Sequence, residues 1–383
     1  MSEFIRDASD QRRVLIIDIA HVFYRYAYGG VPNLTGVLQV NGQSTIVNST
    51  LPNFSIKAIH RWANKGFNPV VVCFDSAGSN NARRAYFAQY GQEGSGTQVV
   101  SGYKEGRGFA GDSFYQGVNI TSNMLLRAGV AVLKADVFEA DDLIKIAVDR
   151  AKKDYPNLPI DIITGDQDLI PLVDDQVSVF ISSRRITFAE DKSIEKVNYF
   201  QLRPYNFQQY LETLSEFKTL SMPYNTALLK KLLRGKKADN IPQYPKFTPT
   251  KFNKLVAALQ EDGHDLGKLF RYGNYKEQIC YRGTGEPIPV ELIDSVPKEQ
   301  KMRKFLEPDE LTQMLSVLSD YLDEDTVNHV RYVYNGVCLN APFTNVPERF
   351  RRAPVAMKSG ITGYDASVLA QVASELQINI SVV

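Results

Sequence analysis

Apolar residues fall into short continuous runs that alternate with stretches of helical spacing. The runs predict buried β-strands at Val14–Asp18 and within "NPVVVCFD", "VAVLKA", "IDIIT" and "QVSVFISS". Helical spacing follows the first strand and recurs in "IKAIHRWANKG", Arg83–Gln89, Val118–Ala128 and "VFEADDLIKIAVDR". Strands that alternate with helices predict an α/β fold, in which helices flank a mostly parallel central sheet.

Changes in this pattern divide the chain into three parts. We expect an α/β core over residues 1–200, a mainly helical region over 201–340, and a tail or docking segment over 341–383. Within the core, residues 29–53 predict a loop or an irregular hairpin, because Gly, Asn, Pro, Ser and Thr are frequent there.

Composition excludes several classes of protein. Apolar residues make up 44% of the chain, and the longest apolar runs are far shorter than a membrane span. The first residues lack the apolar segment of a signal peptide, so we expect a cytoplasmic location, in the host if the source is a virus. Three scattered cysteines form no CxxC pair, which argues against a zinc site or a disulfide framework.

Basic residues concentrate in one segment, although the net charge is only +1. This segment contains a single acid, Asp239. Clustered lysine and arginine can neutralise a nucleic-acid backbone, although an ordinary solvated face has the same composition. The basic residues are Lys230, Lys231, Arg234, Lys236, Lys237, Lys246, Lys251 and Lys254.

Acidic residues follow the predicted strands. Because the carboxyl ends of parallel strands share one edge of a sheet, we expect these side chains to lie together. Clustered carboxylates repel one another unless a cation is present, and oxygen ligands suit Mg²⁺ or Mn²⁺. Taken singly, Asp141 and Asp142 fit a helix start better than a metal site, and Asp75 or the acids of "TGDQDL" fit a turn. The residues are Asp18, Asp75, Glu139, Asp141, Asp142, Asp166 and Asp168.

Other catalytic motifs are missing from the sequence. It contains no HExxH zinc motif, no GxSxG nucleophile elbow and no GxxxxGK[ST] phosphate loop. "GRGFAG" matches GxGxxG, but no predicted strand precedes it, so we reject a dinucleotide site. A haloacid dehalogenase site is also rejected, since Ala20 stands where that chemistry needs a second Asp.

Five segments in this order resemble the 5′-3′ exonuclease and flap endonuclease family, which includes the 5′ nuclease domain of bacterial DNA polymerase I and the phage 5′ nucleases, among them phage ribonuclease H. They span about residues 14–260. The segments are "LIIDIAHVFYRYAY", "VVVCFDSAG" followed by "ARR", "FEADDLI", "TGDQDLIPLV" and "GKKADNIPQYP".

The resemblance implies a fold and a set of metal ligands. The fold would be a PIN-like 5′ nuclease core with a helical arch at about residues 80–115 and a helix-three-turn-helix at about 226–260. Two Mg²⁺ or Mn²⁺ ions are implied as cofactors. The implied ligands are the seven acids at the strand ends together with Asp239.

The resemblance also implies contacts to DNA. Arg83, Arg84 and Lys104 would act at the scissile phosphate as catalytic residues, and Arg107 would join the basic segment in binding DNA. Two departures stand out. Lys236 occupies a position where the family has a metal-binding Asp, and the glycines of the DNA-binding turn are replaced near Lys246 and Thr248.

The implied activity is hydrolysis of phosphodiester bonds in DNA, with RNA primers as a further substrate, in replication or repair. The implied nucleic-acid partners are DNA with a 5′ flap, a nick or a free 5′ end, and an RNA–DNA hybrid. A replisome protein is a further expected partner, through the C-terminal segment. We expect the protein to be a monomer. Two alternatives remain: a PIN-like ribonuclease, and a branched-DNA-binding replisome scaffold that does not cut.

Overall fold

The structure is a computed structural model. It describes residues 13–19, 35–40, 43–48, 52, 67–76, 78–90, 103–104, 112–135, 138–181, 186–187, 194–195, 200–202, 226–245, 247–339, 371 and 374. Predictions for residues 56–66, for "GRGFAG" and for nearly all of the C-terminal tail lie outside these residues.

Strands and helices alternate through the first half, as predicted. The strands are Arg13–Asp18 (β1), Thr35–Val40 (β2), Gln43–Asn48 (β3), Phe67–Phe74 (β4), Ala131–Lys134 (β5), Ile160–Thr164 (β6), Val177–Ile181 (β7), Ile186–Thr187 (β8), Ile194–Glu195 (β9), Phe200–Leu202 (β10), Lys276–Tyr281 (β11) and Lys301–Leu306 (β12). The α-helices are Asn81–Tyr90 (α1), Asp112–Arg127 (α2), Ala140–Asp154 (α3), Ala227–Arg234 (α4), Pro249–Glu261 (α5), Leu266–Leu269 (α6), Asp309–Leu318 (α7) and Glu324–Val337 (α8).

A six-stranded sheet forms the centre of the fold, in the order β10-β7-β6-β1-β4-β5. All neighbours pair in parallel except β10, which runs antiparallel to β7 at one edge. Residues 14–18 and the whole of β6 are buried, as expected for continuous apolar strands covered by helices. The mostly parallel sheet flanked by helices is therefore confirmed.

Register aligns the carboxyl ends of the central strands. Asp18 at the end of β1 pairs with Cys73 of β4, and Ile17 pairs with Ile163 of β6. Helix α3 packs on β1, β4 and β5, so its first turn lies near these strand ends. This edge of the sheet carries the predicted acidic residues.

The second half packs onto the same hydrophobic core. Helix α4 buries the leucine pairs Leu228–Leu229 and Leu232–Leu233, each at most 2% exposed. A buried leucine contributes roughly 1.5–3 kcal/mol, so this stripe anchors α4 firmly. Helix α8 packs against α1 and α4, and one core cluster includes residues from both halves.

Two features of the second half concern the predictions. Helices α4 and α5, joined by a turn with a short 3₁₀ helix at Lys237–Asp239, occupy the predicted helix-three-turn-helix. The β11–β12 hairpin interrupts the predicted helical region. Within the described residues, no helix combines the length and apolar character needed to cross a membrane.

Candidate metal and nucleic-acid site

Asp18 and Asp166 share a hydrogen-bonding partner at the edge of the sheet. Asp18 is 7% exposed, and Thr164 at the end of β6 donates its hydroxyl to the Asp18 carboxylate over 2.8 Å. The Thr164 hydroxyl oxygen also accepts from the backbone N–H of Asp166 at 3.0 Å. The Asp166 carboxylate in turn accepts from the backbone N–H of Asp168 at 3.0 Å. Thr164 thereby connects two acidic segments.

The first turn of α3 is held by acids from two segments. The carboxylate of Asp75, just after β4, accepts from the backbone N–H of Ala140 at 2.8 Å. The carboxylate of Asp142 accepts from the backbone N–H of Glu139 at 3.0 Å. These bonds satisfy backbone donors that lack partners at a helix start. Asp75 and Asp142 therefore fix the position of the helix that carries Asp141.

Arg83 is buried against this helix start. It is 2% exposed, and its guanidinium donates to both carboxylate oxygens of Asp142, at 2.5 and 2.6 Å, and to Glu139 at 2.7 Å. Its neighbour Arg84 is exposed and donates to the backbone carbonyl of Tyr103 at 3.0 Å. The two predicted catalytic arginines therefore have different surroundings, and the placement of Arg83 favours support of the acids over contact with a phosphate.

Lys104 and Tyr103 contact Glu139 from the other side. The Lys104 ammonium pairs with Glu139, and the Tyr103 hydroxyl donates to the same carboxylate at 3.1 Å. Lys104 has a left-handed φ of 53°, and its backbone N–H donates to the carbonyl of Asp239 at 3.0 Å. The predicted arch residue Lys104 thus lies between the start of α3 and the turn after α4.

Lys236 lies among three carboxylates. Its Nζ is 2.8 Å from Asp168, 3.0 Å from Asp239 and 3.7 Å from Asp166. Lys231 donates to the same Asp168 oxygen at 2.8 Å. Two residues predicted to bind DNA therefore form ion pairs within the acidic cluster.

Charges and burial shift the pKa values of these acids in opposite directions. Burial raises the pKa of Asp141 well above its usual range, and the nearby carboxylates of Asp166 and Asp18 add to this effect. Burial also opposes ionisation of Glu139, but Arg83 and Lys104 outweigh it and lower its pKa to about 2. For Asp168, Lys231 and Lys236 likewise outweigh burial and lower the pKa. Asp141 is thus a buried acid whose charge the surrounding residues compensate poorly.

The donor set fits a divalent cation at only part of the cluster. Among the described residues, no group of three or more acidic, histidine or cysteine side chains is arranged as a formed metal site. One physical reason is that Arg83, Lys104, Lys231 and Lys236 already pair with several of the carboxylates. Asp75 and Asp141 form no ion pair in the described part of the chain, where only the more distant charge of Lys104 acts on them, and their oxygens suit a hard cation.

The remaining basic residues form an exposed surface on α4, α5 and their connection. Lys230, Lys237, Lys251 and Lys254 are exposed, and Arg234 is partly exposed. Helix α5 begins at Pro249, and Thr248 accepts from the backbone N–H of Lys251 at 3.3 Å. Predictions for Arg107 and Lys246 lie outside the described residues.

Three contributors were not predicted in these roles. Thr164 is the last residue of β6 and directly precedes "GDQD". Its place at the carboxyl end of a predicted strand is the only sequence feature that indicates a role beside the acids. Tyr103 directly precedes the predicted arch residue Lys104, yet no role was predicted for its hydroxyl. Lys230 and Lys231 are adjacent lysines between the two leucine pairs of α4. The sequence does not indicate which of them faces the acids.

Fold and site together define a parallel-sheet α/β protein with an acidic cluster at the carboxyl ends of its strands and a basic helical element beside it. Residues 13–198 match the family model of the 5′-3′ exonuclease N-terminal, resolvase-like domain. The resemblance drawn from the motifs is therefore confirmed.

Curated relatives are bacterial DNA polymerases I. The chain is 27% identical to that of Lactococcus lactis subsp. cremoris (strain MG1363) over 320 residues, which cover 77% of this chain and 31% of the relative. It is 25% identical to that of Streptococcus pneumoniae serotype 4 over 340 residues, which cover 82% of this chain and 34% of the relative. The chain thus spans about a third of the length of these relatives.

Comparison with solved structures gives matches that cover nearly the whole chain at low identity. One is the T5 D15 protein co-crystallised with metal ions, at 12% identity and a TM-score of 0.45, covering 96% of this chain and 98% of that one. Another is the catalytic core of Rad2 in complex with DNA substrate, at 13% identity and a TM-score of 0.37, covering 97% and 95%.

Proposed function

We propose that this chain is a 5′-3′ exonuclease or structure-specific 5′ flap endonuclease that depends on a divalent cation, Mg²⁺ or Mn²⁺. It hydrolyses phosphodiester bonds of DNA, and RNA primers are a further substrate class, in replication or repair. The observation that carries the proposal is Asp141, a buried and poorly compensated acid in the first turn of α3, on which the nearby carboxylates of Asp166 and Asp18 act and whose helix start is held by Asp75.

These side chains have complementary tasks in the proposed reaction. Asp75 and Asp141 would hold the cation, with Asp18 and Asp166 beside them, and such a cation lowers the pKa of an attacking water and offsets phosphate charge. Arg83 would act as a positioning residue, because its three hydrogen bonds hold Glu139 and Asp142. It would thereby keep the first turn of α3 in place.

Lys104 and Arg84 are the proposed phosphate contacts among the described residues. Lys104 is 17% exposed while it pairs with Glu139, so its ammonium lies at the border between the acids and the solvent. Arg84 is exposed on α1, and a guanidinium can bind two phosphate oxygens at once. Fixed cations at this border would stabilise the charge that develops on the phosphate.

Exposed lysines would hold the duplex beside the cut. Lys230, Lys237, Lys251 and Lys254 lie on one helix–turn–helix unit and would contact phosphates without reading the base sequence. The proposed ligands are DNA with a 5′ flap, nick or free 5′ end, or an RNA–DNA hybrid. A monomer, a cytoplasmic location and a replisome partner for residues 341–383 stay predictions.

Cleavage of a 5′-labelled flap duplex tests the proposal. We expect cutting near the junction with Mg²⁺ or Mn²⁺ and none with EDTA. Asp141→Asn removes the charge with little change in size and is expected to abolish cutting. The matched control is Asp154→Asn at the other end of α3, where a surface pair with Arg150 contributes little. Retained cutting in Asp141→Asn would contradict the assignment of the site.

Two other functions predict different results in this assay. A branched-DNA scaffold would bind the flap and cut nothing in any metal, and the lysine pairs at Asp168 and Asp239 favour this alternative. A PIN-like ribonuclease would cut single-stranded RNA and leave the flap intact. The exposed lysines of α4 and α5 favour a duplex-binding protein over this second alternative.

A further inference from the structure

The acidic cluster has two parts that differ in charge compensation. Asp166, Asp168 and Asp239 contact the Lys236 ammonium, and Asp168 also contacts Lys231; we name the three acids the lysine-bound carboxylates. Asp75 and Asp141 contact no basic side chain among the described residues. Any added cation is therefore expected to favour the part that contains Asp141.

The backbone holds Lys236 in this position. Lys236 and Ile241 exchange backbone hydrogen bonds of 3.3 and 3.2 Å, which close a short loop around Asp239. Gly235 before it has a φ of +62°, and a Cβ there would lie 2.2 Å from the carbonyl oxygen of Ile241. Because the backbone of this turn is tightly packed, it fixes the position of the Lys236 Cα. The fold therefore directs the Lys236 side chain toward its three carboxylate partners.

Lys231 reaches the same carboxylates from a different element. It lies on α4, which its buried leucines anchor to the core, and its side chain is only 10% exposed. Lys231 and Lys236 each carry one positive charge, so together they supply +2, the charge of one divalent ion. Their two Nζ atoms both lie 2.8 Å from the same Asp168 oxygen.

We propose that Lys231 and Lys236 act as built-in cations that take the place of a second divalent ion, so that the chain binds one ion, at Asp75 and Asp141. The catalytic meaning of this inference rests on the proposed function, but the count of bound ions does not. An ammonium offsets phosphate charge and donates hydrogen bonds, whereas it has no open coordination position for water. The two ammonium groups would thus supply a fixed charge of +2 beside the lysine-bound carboxylates.

Counting bound Mn²⁺ tests this inference without any reference to cutting. The loss of the free-ion EPR signal during a titration gives the number of ions bound per chain. We expect one ion for the wild type and two for Lys236→Asp, which removes the ammonium and adds a carboxylate. Lys304→Asp makes the same change of charge at an exposed position of β12 and is expected to keep one ion.

The outcomes separate this inference from the proposed function. Two ions or none in the wild type, or one ion in Lys236→Asp, would overturn it even if the protein cuts flaps. One ion in the wild type and two in the variant would support it even if no substrate is cut. Should Lys236→Asp fail to fold, Lys236→Met removes only the charge; a second ion is again expected, and an unchanged count would overturn the inference.

Discussion

Replacing Arg83 is the sharpest test of how the acidic site is held together. Its guanidinium makes three charge-assisted hydrogen bonds to Glu139 and Asp142 and is 2% exposed. Arg83→Met keeps much of the apolar stem but leaves Asp142 without this partner. Removing one partner of a buried ion pair costs about 3–5 kcal/mol. We expect a loss of this size, because the buried guanidinium bridges the carboxylates of both Glu139 and Asp142.

Arg84 provides the matched control on the same helix. It is exposed and donates one hydrogen bond, to the carbonyl of Tyr103, so Arg84→Met is expected to cost less than about 1 kcal/mol. Urea unfolding of both variants measures the two losses. Flap cleavage under conditions where each protein is folded then separates support of the site from contact with the substrate.

A particular pair of results would refute this account. If Arg83→Met lost less than about 1 kcal/mol of stability and still lost cleavage, the buried ion pairs would not hold the acids in place. Arg83 would then act directly on the phosphate, as the family resemblance implied. Arg83→Lys adds a second check, since an ammonium lacks the two-pronged geometry that binds both Asp142 oxygens and should restore only part of the stability.

Three further predictions concern charge. Asp141→Asn should stabilise the protein in EDTA by about 1 kcal/mol, since it removes a buried and poorly compensated charge; thermal melting measures this, and a lower Tm would contradict it. Burial lowers the pKa of His329 from 6.5 to about 4, so the unfolded chain binds more protons between these values; stability should be full above pH 6.5 and fall by up to about 3 kcal/mol as the pH approaches 4. His329→Leu should flatten that part of a pH series of urea melts, and an unchanged slope would count against it. Lys251→Gln with Lys254→Gln should reduce the salt dependence of duplex binding by about 2 in log–log slope, and an unaltered slope would remove both lysines from the interface.

The sequence predicted the central sheet because each of its main strands is a continuous apolar run. Parallel topology then places the residues after those runs at one edge, which is why Asp18, Asp75 and Asp166 were expected together. The β11–β12 hairpin was missed for the opposite reason. Its strands, "KEQICY" and "KMRKFL", are rich in charged residues and largely half-buried or exposed, so no apolar run marks them.

The sequence alone does not predict which basic residues pair with which acidic residues. Arg83 and Arg84 are adjacent and chemically identical, yet only Arg83 faces Glu139 and Asp142, which lie more than fifty positions away. The rotation of α1 decides this difference, and the packing of α1 against α8 sets that rotation. Lys231 likewise turns inward to Asp168 while Lys230 stays exposed. Long-range packing therefore decides which basic side chains pair with the acids and which stay exposed.

The segment "FEADDLI" shows how one helix start serves both structure and chemistry. Asp142 receives the Glu139 N–H and binds Arg83, while Asp75 receives the Ala140 N–H. These bonds fix the first turn of α3, which carries Asp141. Burial, together with repulsion from the nearby carboxylates of Asp166 and Asp18, raises the pKa of Asp141. A cap alone does not need this arrangement, since Asp141 makes no bond to the helix backbone in the described structure. We predict that a bound cation would offset the cost of holding Asp141 there, so that the proposed metal site and the helix cap depend on each other.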